Sequence, residues 1–311
     1  MKLKENFKKI FKYLCDSKYR FSINLKKFNM HKKMSDKKVL ENLYYFTFKK
    51  NINWDNPQTF NEKLQWLKLH DRNYEYNKMV DKYLVRDYIK NELGEEYLIP
   101  LIGVYDNFKE IDFSKLPNQF VIKCNHDSGG LVFCKDKKNF NVKLAKKKIN
   151  RSLKRNYYYS GREWPYKNVK PKIIIEKYIE DSKFKELRDY KFFCFNGKCE
   201  FFKVDFDRQR KHGANYFDIN GNILPFGEQA CPPNFNKRIN LPNTIPKMIN
   251  LAQKLSKNIY FLRVDFYDVN GKIYFGELTF YPASGFGKFE PEDWDLKIGK
   301  KLKLPVKKQK K

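Results

Sequence analysis

The sequence predicts an α+β fold, with helices in the first part of the chain and antiparallel sheets in the second. As far as about residue 93, apolar side chains recur at helical spacing. From Phe120 onward, short runs rich in Val, Ile, Phe and Tyr are typical of strands. Asn-Gly pairs, the strongest short-range signal for a hairpin turn, occur at Asn196-Gly197, Asn220-Gly221 and Asn270-Gly271.

The composition is that of a folded protein with a strongly basic surface. Of 311 residues, 41% are hydrophobic and 17% aromatic, which excludes a wholly disordered chain. The 65 Lys and Arg residues outnumber 36 Asp and Glu residues, for a net charge of +29. Such a charge favours nucleotides, acidic glycans, acidic lipids or nucleic acids as partners but does not choose among them. Codon bias would also produce scattered lysines, so the charge alone assigns no function.

The cysteine pattern predicts reduced thiols. The six cysteines form no Cys-x-x-Cys pair and no zinc spacing with the four histidines. No apolar run approaches the ~18 residues of a membrane span, and we identify no signal peptide. We therefore expect a cytoplasmic protein.

The first helices are predicted from spacing and capping signals. Leu3–Leu14 has apolar residues at helical spacing among lysines, which predicts a basic amphipathic helix. This helix could lie on an anionic membrane or dock onto the core, and docking is favoured. Thr59–Glu62 is a capping box for a helix that reaches Leu69. A second helix is predicted from Asn77 to Leu93, and it stops at Gly94.

The remaining elements follow from apolar runs and turns. We predict a buried strand at Leu98–Val104, strands at Phe120–Cys124, Leu131–Cys134 and Lys172–Ile179, a hairpin at Asp189–Val204, helices at 141–155 and 244–258, and a basic tail at Lys300–Lys311. These elements divide the chain into a basic extension (1–55), a helical or α/β unit (56–118), a small subdomain with a phosphate loop (119–180), a large subdomain with a metal site (181–300) and the tail (301–311).

The last hairpin carries Asp265 and Glu277 inside apolar arms, although acids are depleted in strands. A strict two-residue Asn-Gly loop would place the two acids on opposite faces. A three-residue loop, 269–271, would instead pair Arg263 with Glu277 and put both acids, Arg263 and Thr279 on one face. Carboxylates suit Mg²⁺ and a guanidinium suits phosphate, so this face predicts a magnesium–polyphosphate site. An exposed face with an Arg–Glu pair is the alternative.

A second candidate is the segment from Lys123 to Gly130. Gly129 and Gly130 would let backbone N–H groups approach an anion, while Ser128 adds a donor and Lys123 adds charge. The segment lacks the order of a Walker A loop, and a strand follows it. Taken by itself, the segment is better interpreted as an ordinary hairpin turn with a lysine at the end of a strand.

The order of these pieces along the chain resembles the ATP-grasp superfamily. More narrowly, several motifs are similar to the TupA-like branch, which is associated with teichuronopeptide and capsular polysaccharide biosynthesis. These motifs are Phe60–Lys63, Asp81-Lys82 with Arg86, Gly161–Tyr166, Asp189–Phe193 and Gly276–Phe280. The resemblance covers roughly residues 55–300. It implies an ATP-grasp fold, in which ATP lies between two antiparallel sheets.

The resemblance also implies roles for individual residues on the nucleotide side. Lys82 and Lys123 would contact the α- and β-phosphates, and the loop of Asp127, Ser128, Gly129 and Gly130 would close over them. His126 could bind phosphate or shuttle a proton, although a structural role in the loop is favoured. Glu176–Ile179 would be the adenine hinge, with the backbone of Lys177 and Ile179 on the purine. Glu180 and Glu186 are both candidates for the ribose.

On the reacting side, the resemblance places Lys191 near the γ-phosphate and Arg263 beside the transferring phosphoryl group. Asp265 and Glu277 match the magnesium carboxylates. Thr279 stands where the superfamily usually has Asn, and its hydroxyl could bind the metal or a metal-bound water. The implied reaction converts a carboxylate to an acylphosphate, which an amine then attacks to form an amide.

We therefore hypothesise a ligase that joins an amino acid or simple amine to an acidic sugar of a surface polysaccharide. Arg208, Arg210 and His212 are candidates for the acidic substrate. A glycosyltransferase is the first alternative, but no DxD motif lies in a Rossmann-like context. A polyanion-binding or nucleic-acid-binding module is the second, and it would use Tyr157–Tyr159 with Arg151, Arg155 and Arg162. The basic ends could hold the protein at the inner face of the cytoplasmic membrane.

Overall fold

The computed structural model describes Cys15 and residues 30–181, 187–207 and 212–305. In these ranges the α-helices are α1 (Asp36–Phe48), α2 (Phe60–His70), α3 (Glu75–Val80), α4 (Val85–Glu92), α5 (Val142–Leu153), α6 (Tyr158–Gly161), α7 (Ile245–Leu255) and α8 (Trp294–Lys301). The strands are β1 (Leu101–Tyr105), β2 (Phe120–Cys124), β3 (Leu131–Cys134), β4 (Ile173–Lys177), β5 (Asp189–Phe195), β6 (Lys198–Phe206), β7 (Gly213–Asp218), β8 (Gly227–Glu228), β9 (Phe261–Val269), β10 (Lys272–Thr279) and β11 (Phe289–Glu290).

The strands form two main antiparallel sheets. The small sheet has the order β1-β4-β2-β3, and the large sheet has the order β10-β9-β5-β6-β7. A further pair, β8 with β11, makes a two-stranded sheet. Helices precede and flank these sheets, so the predicted α+β class is confirmed.

Each main sheet has one apolar face covered by a helix. In the small sheet, Phe120, Ile122 and Ile175 are fully buried in a core that includes Ile149 of α5. In the large sheet, α7 packs against β5, β6 and β9. Because side chains alternate along a strand, the opposite faces carry the intervening residues, and these include most of the candidate site.

The helix predicted over Asn77–Leu93 is wrong in one respect, because the structure has two helices there. They are interrupted at Asp81, whose side chain accepts hydrogen bonds from the backbone N–H groups of Tyr83 (2.8 Å) and Leu84 (3.2 Å). Such local bonds compete with the helical pattern and start a new helix instead. The capping box at Thr59 and Glu62 is confirmed.

The strand predicted as buried at Leu98–Val104 also differs. It begins at Leu101 rather than Leu98, and its five residues are half-buried or exposed because β1 is an edge strand. Pro100, which has no N–H to donate, precedes it. Although β1 lies in the predicted 56–118 unit, it pairs with β4 of the next unit, so the first strand of the small sheet comes from before residue 119.

The helix predicted at Leu3–Leu14 and the tail lysines Lys307–Lys311 lie outside the described residues. Along the described ranges, no helix combines the length and apolarity that crossing a bilayer requires.

Candidate nucleotide and metal site

In the last hairpin, Asp265 and Glu277 share one face of the sheet as predicted, but a bulge rather than a longer loop places them there. The three-residue loop is wrong, because Val269 pairs with Lys272 across a two-residue turn in which Asn270 (φ 54°) and Gly271 (φ 84°) are both left-handed. The register then shifts at Gly276, which is an extra residue in β10. Because of this bulge, Glu277 pairs with Asp265 and both carboxylates lie on the same face of the sheet. Without the bulge, Glu277 would lie on the opposite face.

The bulge completes a row of polar side chains across the large sheet. Consecutive partners are Glu277 on β10, Asp265 on β9, Lys191 on β5, Lys203 on β6 and Tyr216 on β7. Because directly opposed residues share a face, all five side chains project from the same side of the sheet. The row lies opposite the face covered by α7.

Arg263, two residues before Asp265, holds both carboxylates. Its guanidinium donates to Asp265 Oδ1 and Oδ2, each at 2.7 Å, and to Glu277 Oε1 at 2.9 Å. Lys191 Nζ donates to Asp265 Oδ2 at 2.9 Å. Burial by itself would raise the pKa of the Asp265 carboxyl, but Arg263 and Lys191 outweigh it and hold that pKa below its ordinary value. Asp265 is therefore an anion at neutral pH.

The charges on this face suit a divalent cation. Among the described residues, three cations interact there with five carboxylates, which leaves two negative charges in excess: Lys191, Lys203 and Arg263 against Asp189, Asp205, Glu228, Asp265 and Glu277. The Asp265 side chain is 1% exposed and the Glu277 side chain is 40% exposed. One carboxylate of the pair is therefore held in the interior, and the other can be reached from solvent. Hard carboxylate oxygens are what Mg²⁺ prefers, and the Thr279 hydroxyl lies 3.5 Å from Glu277 Oε1.

The small sheet contributes a second charged cluster. Lys123 Nζ lies 2.5 Å from Glu176 Oε2, and Arg86 Nη1 lies 3.2 Å from Glu176 Oε1. Lys82 Nζ donates to the backbone carbonyl of Asp127 at 2.6 Å, so Lys82 contacts the predicted phosphate loop. The two lysines predicted to bind phosphate thus lie beside the predicted loop and the predicted hinge strand, and their phosphate contacts stay a prediction.

The residues of the predicted phosphate loop differ in whether their polar groups already have hydrogen-bond partners within the protein. The Asp127 carboxylate accepts from the Gly130 N–H at 2.9 Å and from the Ser152 hydroxyl. The Gly130 N–H is therefore already used, contrary to the expectation that it is offered to an anion. A Cβ at Gly130 would lie 2.6 Å from Cys124 Sγ, so close packing explains this glycine. Gly129 is exposed, and the Ser128 hydroxyl donates to the Tyr157 hydroxyl at 3.3 Å.

His126 anchors the loop to the end of α5. Its ring is 2% exposed, and Nε2 lies 3.2 Å from the Ser152 carbonyl and 3.1 Å from the Arg155 carbonyl. Burial lowers the pKa of His126. A buried ring whose N–H donates to two carbonyls supports the structural role rather than phosphate contact.

Backbone hydrogen bonds limit which groups of the predicted adenine hinge could contact a purine. The Lys177 N–H donates to the Pro100 carbonyl at 3.0 Å, so a purine could use the carbonyl of Lys177 but not its N–H. Ile179 is half-buried beyond the end of β4. Glu180 is exposed and lies 3.7 Å from Lys135, whereas Glu186 lies outside the described residues. Arg208 and Arg210 also lie outside them.

The two sheets meet around the site. A cavity of about 20 Å³ is lined by Lys82, Lys123 and Glu176 from the small-sheet side and by Phe275 and Gly276 from β10. The cavity is far smaller than a ligand pocket of ~300 Å³ or more.

Several residues of the site were not predicted. Lys203, Tyr216 and Glu228 form one group, with Glu228 accepting from Lys203 Nζ (3.2 Å) and from the Tyr216 hydroxyl (2.6 Å). The sequence did offer one sign of this group, because Lys203 lies inside the apolar run of β6. The face on which Lys203 projects could not be predicted, because it depends on a second bulge in that strand. Asn125 is also fully buried, and it links Asp81, Lys170 and Lys172 behind the loop.

Two predicted substrate-binding groups have protein partners. Arg162 is 1% exposed, stacks over Tyr158 and Tyr159, and lies 3.5 Å from Asp36. It therefore stabilises the fold rather than offering charge to a nucleic acid. His212 is exposed, and its Nε2 lies 3.6 Å from Asp205 Oδ2, which places it at the edge of the polar face.

A model of the TupA-like ATP-grasp family matches residues 62–303. Among solved structures, the chain is similar to D-alanine–D-alanine ligase from Bacillus anthracis (19% identity, 65% of this chain and 56% of that chain, TM-score 0.36). It is also similar to the same enzyme from Helicobacter pylori, with 15% identity over 78% of this chain and 69% of that chain and a TM-score of 0.40. A third similar structure is D-cycloserine synthetase DcsG, with 11% identity over 72% of this chain and 69% of that chain and a TM-score of 0.39. The chain thus spans little more than half the length of the first of these structures. No curated protein sequence matches it.

Proposed function

The chain belongs to the TupA-like ATP-grasp family of enzymes, and from this premise we propose that it is an ATP-dependent, Mg²⁺-dependent carboxylate–amine ligase. The ATP-grasp fold and the resemblance expected from its motifs are both confirmed by this family match. The observation that carries the proposal is the polar row with Arg263, in which a carboxylate pair, a guanidinium and a buried lysine converge on one face.

The proposed reaction begins with phosphoryl transfer from ATP to a substrate carboxylate. Asp265 and Glu277, with Thr279, would hold Mg²⁺, which when bound neutralises charge on the β- and γ-phosphate oxygens. Lys82 and Lys123 would bind the phosphates as the loop of Ser128 and Gly129 closes, and the backbone of Lys177 and Ile179 would meet adenine.

Arg263 and Lys191 would offset negative charge on the moving phosphoryl group. Burial works against their charged forms, yet Asp265 and its neighbouring carboxylates raise the pKa of both groups. Both side chains therefore stay cationic throughout the physiological pH range. Fixed charges of this kind stabilise a transition state without needing to reorganise.

The acylphosphate formed in this way would be attacked by an amine to give an amide. The TupA-like branch suggests an acidic sugar of a surface polysaccharide as the carboxylate and an amino acid or small amine as the nucleophile. We further propose that the enzyme works in the cytoplasm, with peripheral contact at the inner face of the membrane through its basic ends.

The direct test is ADP formation across a panel of uronic acids and amines with Mg-ATP. ADP release that requires both a carboxylate and an amine supports the ligase. Release of UDP from a UDP-sugar, with no carboxylate-dependent ADP, would instead indicate a glycosyltransferase. Salt-sensitive DNA binding without ATP turnover would indicate a polyanion-binding module.

A further inference from the structure

Helix α2 and the Gly161–Tyr166 motif meet at a buried lysine that the proposed reaction does not use. Lys68 is fully buried, and its Nζ donates to Gln65 Oε1 (2.9 Å), the Gly161 carbonyl (2.6 Å) and the Ser284 carbonyl (2.7 Å). An ammonium has three N–H donors, so these three oxygens satisfy it completely. Lys68 therefore ties the motif to the turn that follows β10.

That turn is strained. Ala283 (φ 48°), Ser284 (φ 54°) and Gly285 (φ 63°) are three successive left-handed residues, and two of them are not glycine. Left-handed backbone costs roughly 1–2 kcal/mol for an ordinary residue and persists only where its surroundings impose it. Gln65 Nε2 holds the turn by donating to the Gly285 carbonyl at 2.5 Å.

The Ser284 hydroxyl donates to Glu163 Oε1. Close packing enforces this contact, because a Cβ at Gly161 would lie 2.6 Å from Ser284 Cβ. Glu163 is 4% exposed. Ser284 belongs to the turn that follows β10, so this hydrogen bond places Glu163 beside the end of the last hairpin. Burial raises the pKa of Glu163, and Lys68 and Ser284 oppose that rise.

Two tyrosines connect the Gly161–Tyr166 motif to the phosphate loop. The ring centroids of Tyr157 and Tyr166 are 4.9 Å apart with their planes at 68°, and the Tyr157 hydroxyl accepts from the Ser128 hydroxyl. Burial raises the pKa of Tyr166, and the charges of Glu163 and Glu277 raise it further. The Tyr166 N–H donates to the Glu163 carbonyl at 3.1 Å, so Glu163 is linked through Tyr166 and Tyr157 to Ser128 of the phosphate loop.

We propose that Glu163, oriented by Ser284, binds the amine substrate as its ammonium and removes the proton that prevents attack. The assignment rests on the proposed ligase function. The ammonium transfers one proton to the Glu163 carboxylate. The free amine then forms the C–N bond, the C–O bond to phosphate breaks with its electron pair on phosphate, and the second amine proton leaves on that phosphate. Neutral Glu163 returns its proton to water after product release.

Glu163→Gln tests this role, because it removes the base at nearly constant size. With an alkylamine or amino acid as nucleophile, amide formation at pH 7 should fall by about 10²–10⁴, the usual contribution of a general base. Hydroxylamine is uncharged at this pH and needs no base, so hydroxamate formation from the acylphosphate should stay within about threefold of wild type. Amide formation by the variant should also recover as pH rises and free amine accumulates.

The control is Glu292→Gln, which makes the same change at an exposed carboxylate paired with Lys50. Both products should form at wild-type rates in this variant. Ser284→Ala keeps the carboxylate but removes its hydrogen bond, so it should lower amide formation by about tenfold and spare hydroxamate. It also provides the measurement if Glu163→Gln does not fold.

Equal losses of amide and hydroxamate in Glu163→Gln and Ser284→Ala would overturn the assignment, because a structural defect affects both nucleophiles alike. Unchanged amide formation in Glu163→Gln would overturn it as well. If the wild-type enzyme forms no acylphosphate with any carboxylate, so that hydroxylamine traps nothing, the ligase function itself fails and takes this assignment with it.

Discussion

At the residue scale, the two hairpin carboxylates differ in how strongly the fold depends on them. Asp265 is fully buried between Arg263 and Lys191, whereas Glu277 is substantially exposed and has Arg263 as its cationic partner. Removing one member of a buried ion pair typically costs ~3–5 kcal/mol, but removing an exposed carboxylate costs much less. Of the two proposed metal ligands, Asp265 should therefore matter for the stability of the fold much more than Glu277 does.

Glu277→Gln should lower Mg²⁺-dependent turnover at least ~100-fold with little loss of stability, because it removes a ligand charge at constant volume. Asp265→Asn should lower turnover as strongly and should also lower the melting temperature. Steady-state ADP formation and thermal unfolding measure the two effects. Wild-type turnover in either variant would show that the metal site is misassigned.

Acid unfolding should report the Asp265 network. Because the folded-state pKa of Asp265 is depressed, its contribution is present above the ordinary carboxyl pKa of ~3.9 and is lost as pH falls through the folded value. The deficit in unfolding free energy of Asp265→Asn should thus be large at pH 7 and shrink below about pH 4. Urea unfolding from pH 7 to pH 3 measures it, with the exposed Asp293→Asn as control. A deficit independent of pH would contradict the network.

At the scale of elements, the β10 bulge decides where Glu277 points. A Cβ at Gly276 would lie 3.0 Å from the Asp265 carbonyl oxygen, whereas a Cβ at Gly271 would meet no atom within 4 Å. Gly276→Ala should therefore displace the strand and lower turnover by about 100-fold, the order expected for a misplacement of about 1 Å. Turnover assays and metal-dependent stabilisation check this.

The control in the same hairpin is Gly271→Ala, which imposes a left-handed alanine at the turn (φ 84°). It should cost roughly 1–2 kcal/mol of stability and leave turnover unchanged. Equal loss of turnover in both variants would show that the hairpin as a whole, rather than the bulge, governs the site.

Strands β2 and β4 allow a second comparison. Lys123→Ala removes a side chain that lies beside Glu176 and the phosphate loop, so the KM for ATP should rise by about 10–100-fold, as expected for charged hydrogen bonds. Lys177→Ala should have a much smaller effect, because its side chain is exposed and the hinge would use its backbone. Equal damage from both would show that the hinge and the phosphate strand are misplaced.

At the scale of the whole molecule, the proposed membrane contact through the basic ends of the chain should be electrostatic. Each lysine near such a surface contributes ~1 kcal/mol, and screening within ~8–10 Å makes the attachment sensitive to salt. The protein should float with anionic liposomes at low salt and not at high salt or with neutral lipid. Replacing the tail lysines 307, 308, 310 and 311 with Gln should weaken flotation. Equal partitioning into both lipids would exclude an electrostatic attachment.

The sequence by itself determined the local elements of this protein. The capping box at Thr59, the Asn-Gly turns and the strands from Phe120 onward are encoded within a few residues of each position, and the structure confirms them. The order of motifs also sufficed to indicate the ATP-grasp fold, because that order is preserved whatever the exact register of the strands.

Only the tertiary structure decided which side chains meet. Extra residues at Glu200 in β6 and at Gly276 in β10 shift the register by one, and each shift moves the following side chains to the other face. An isolated glycine such as Gly276 can mark a bulge, but no such residue occurs at Glu200, and in both strands the register also depends on packing across the sheet. The contacts of Lys68 with residues 161 and 284 likewise span more than 90 positions of the chain, so only folding brings the Gly161–Tyr166 motif to the turn that follows β10.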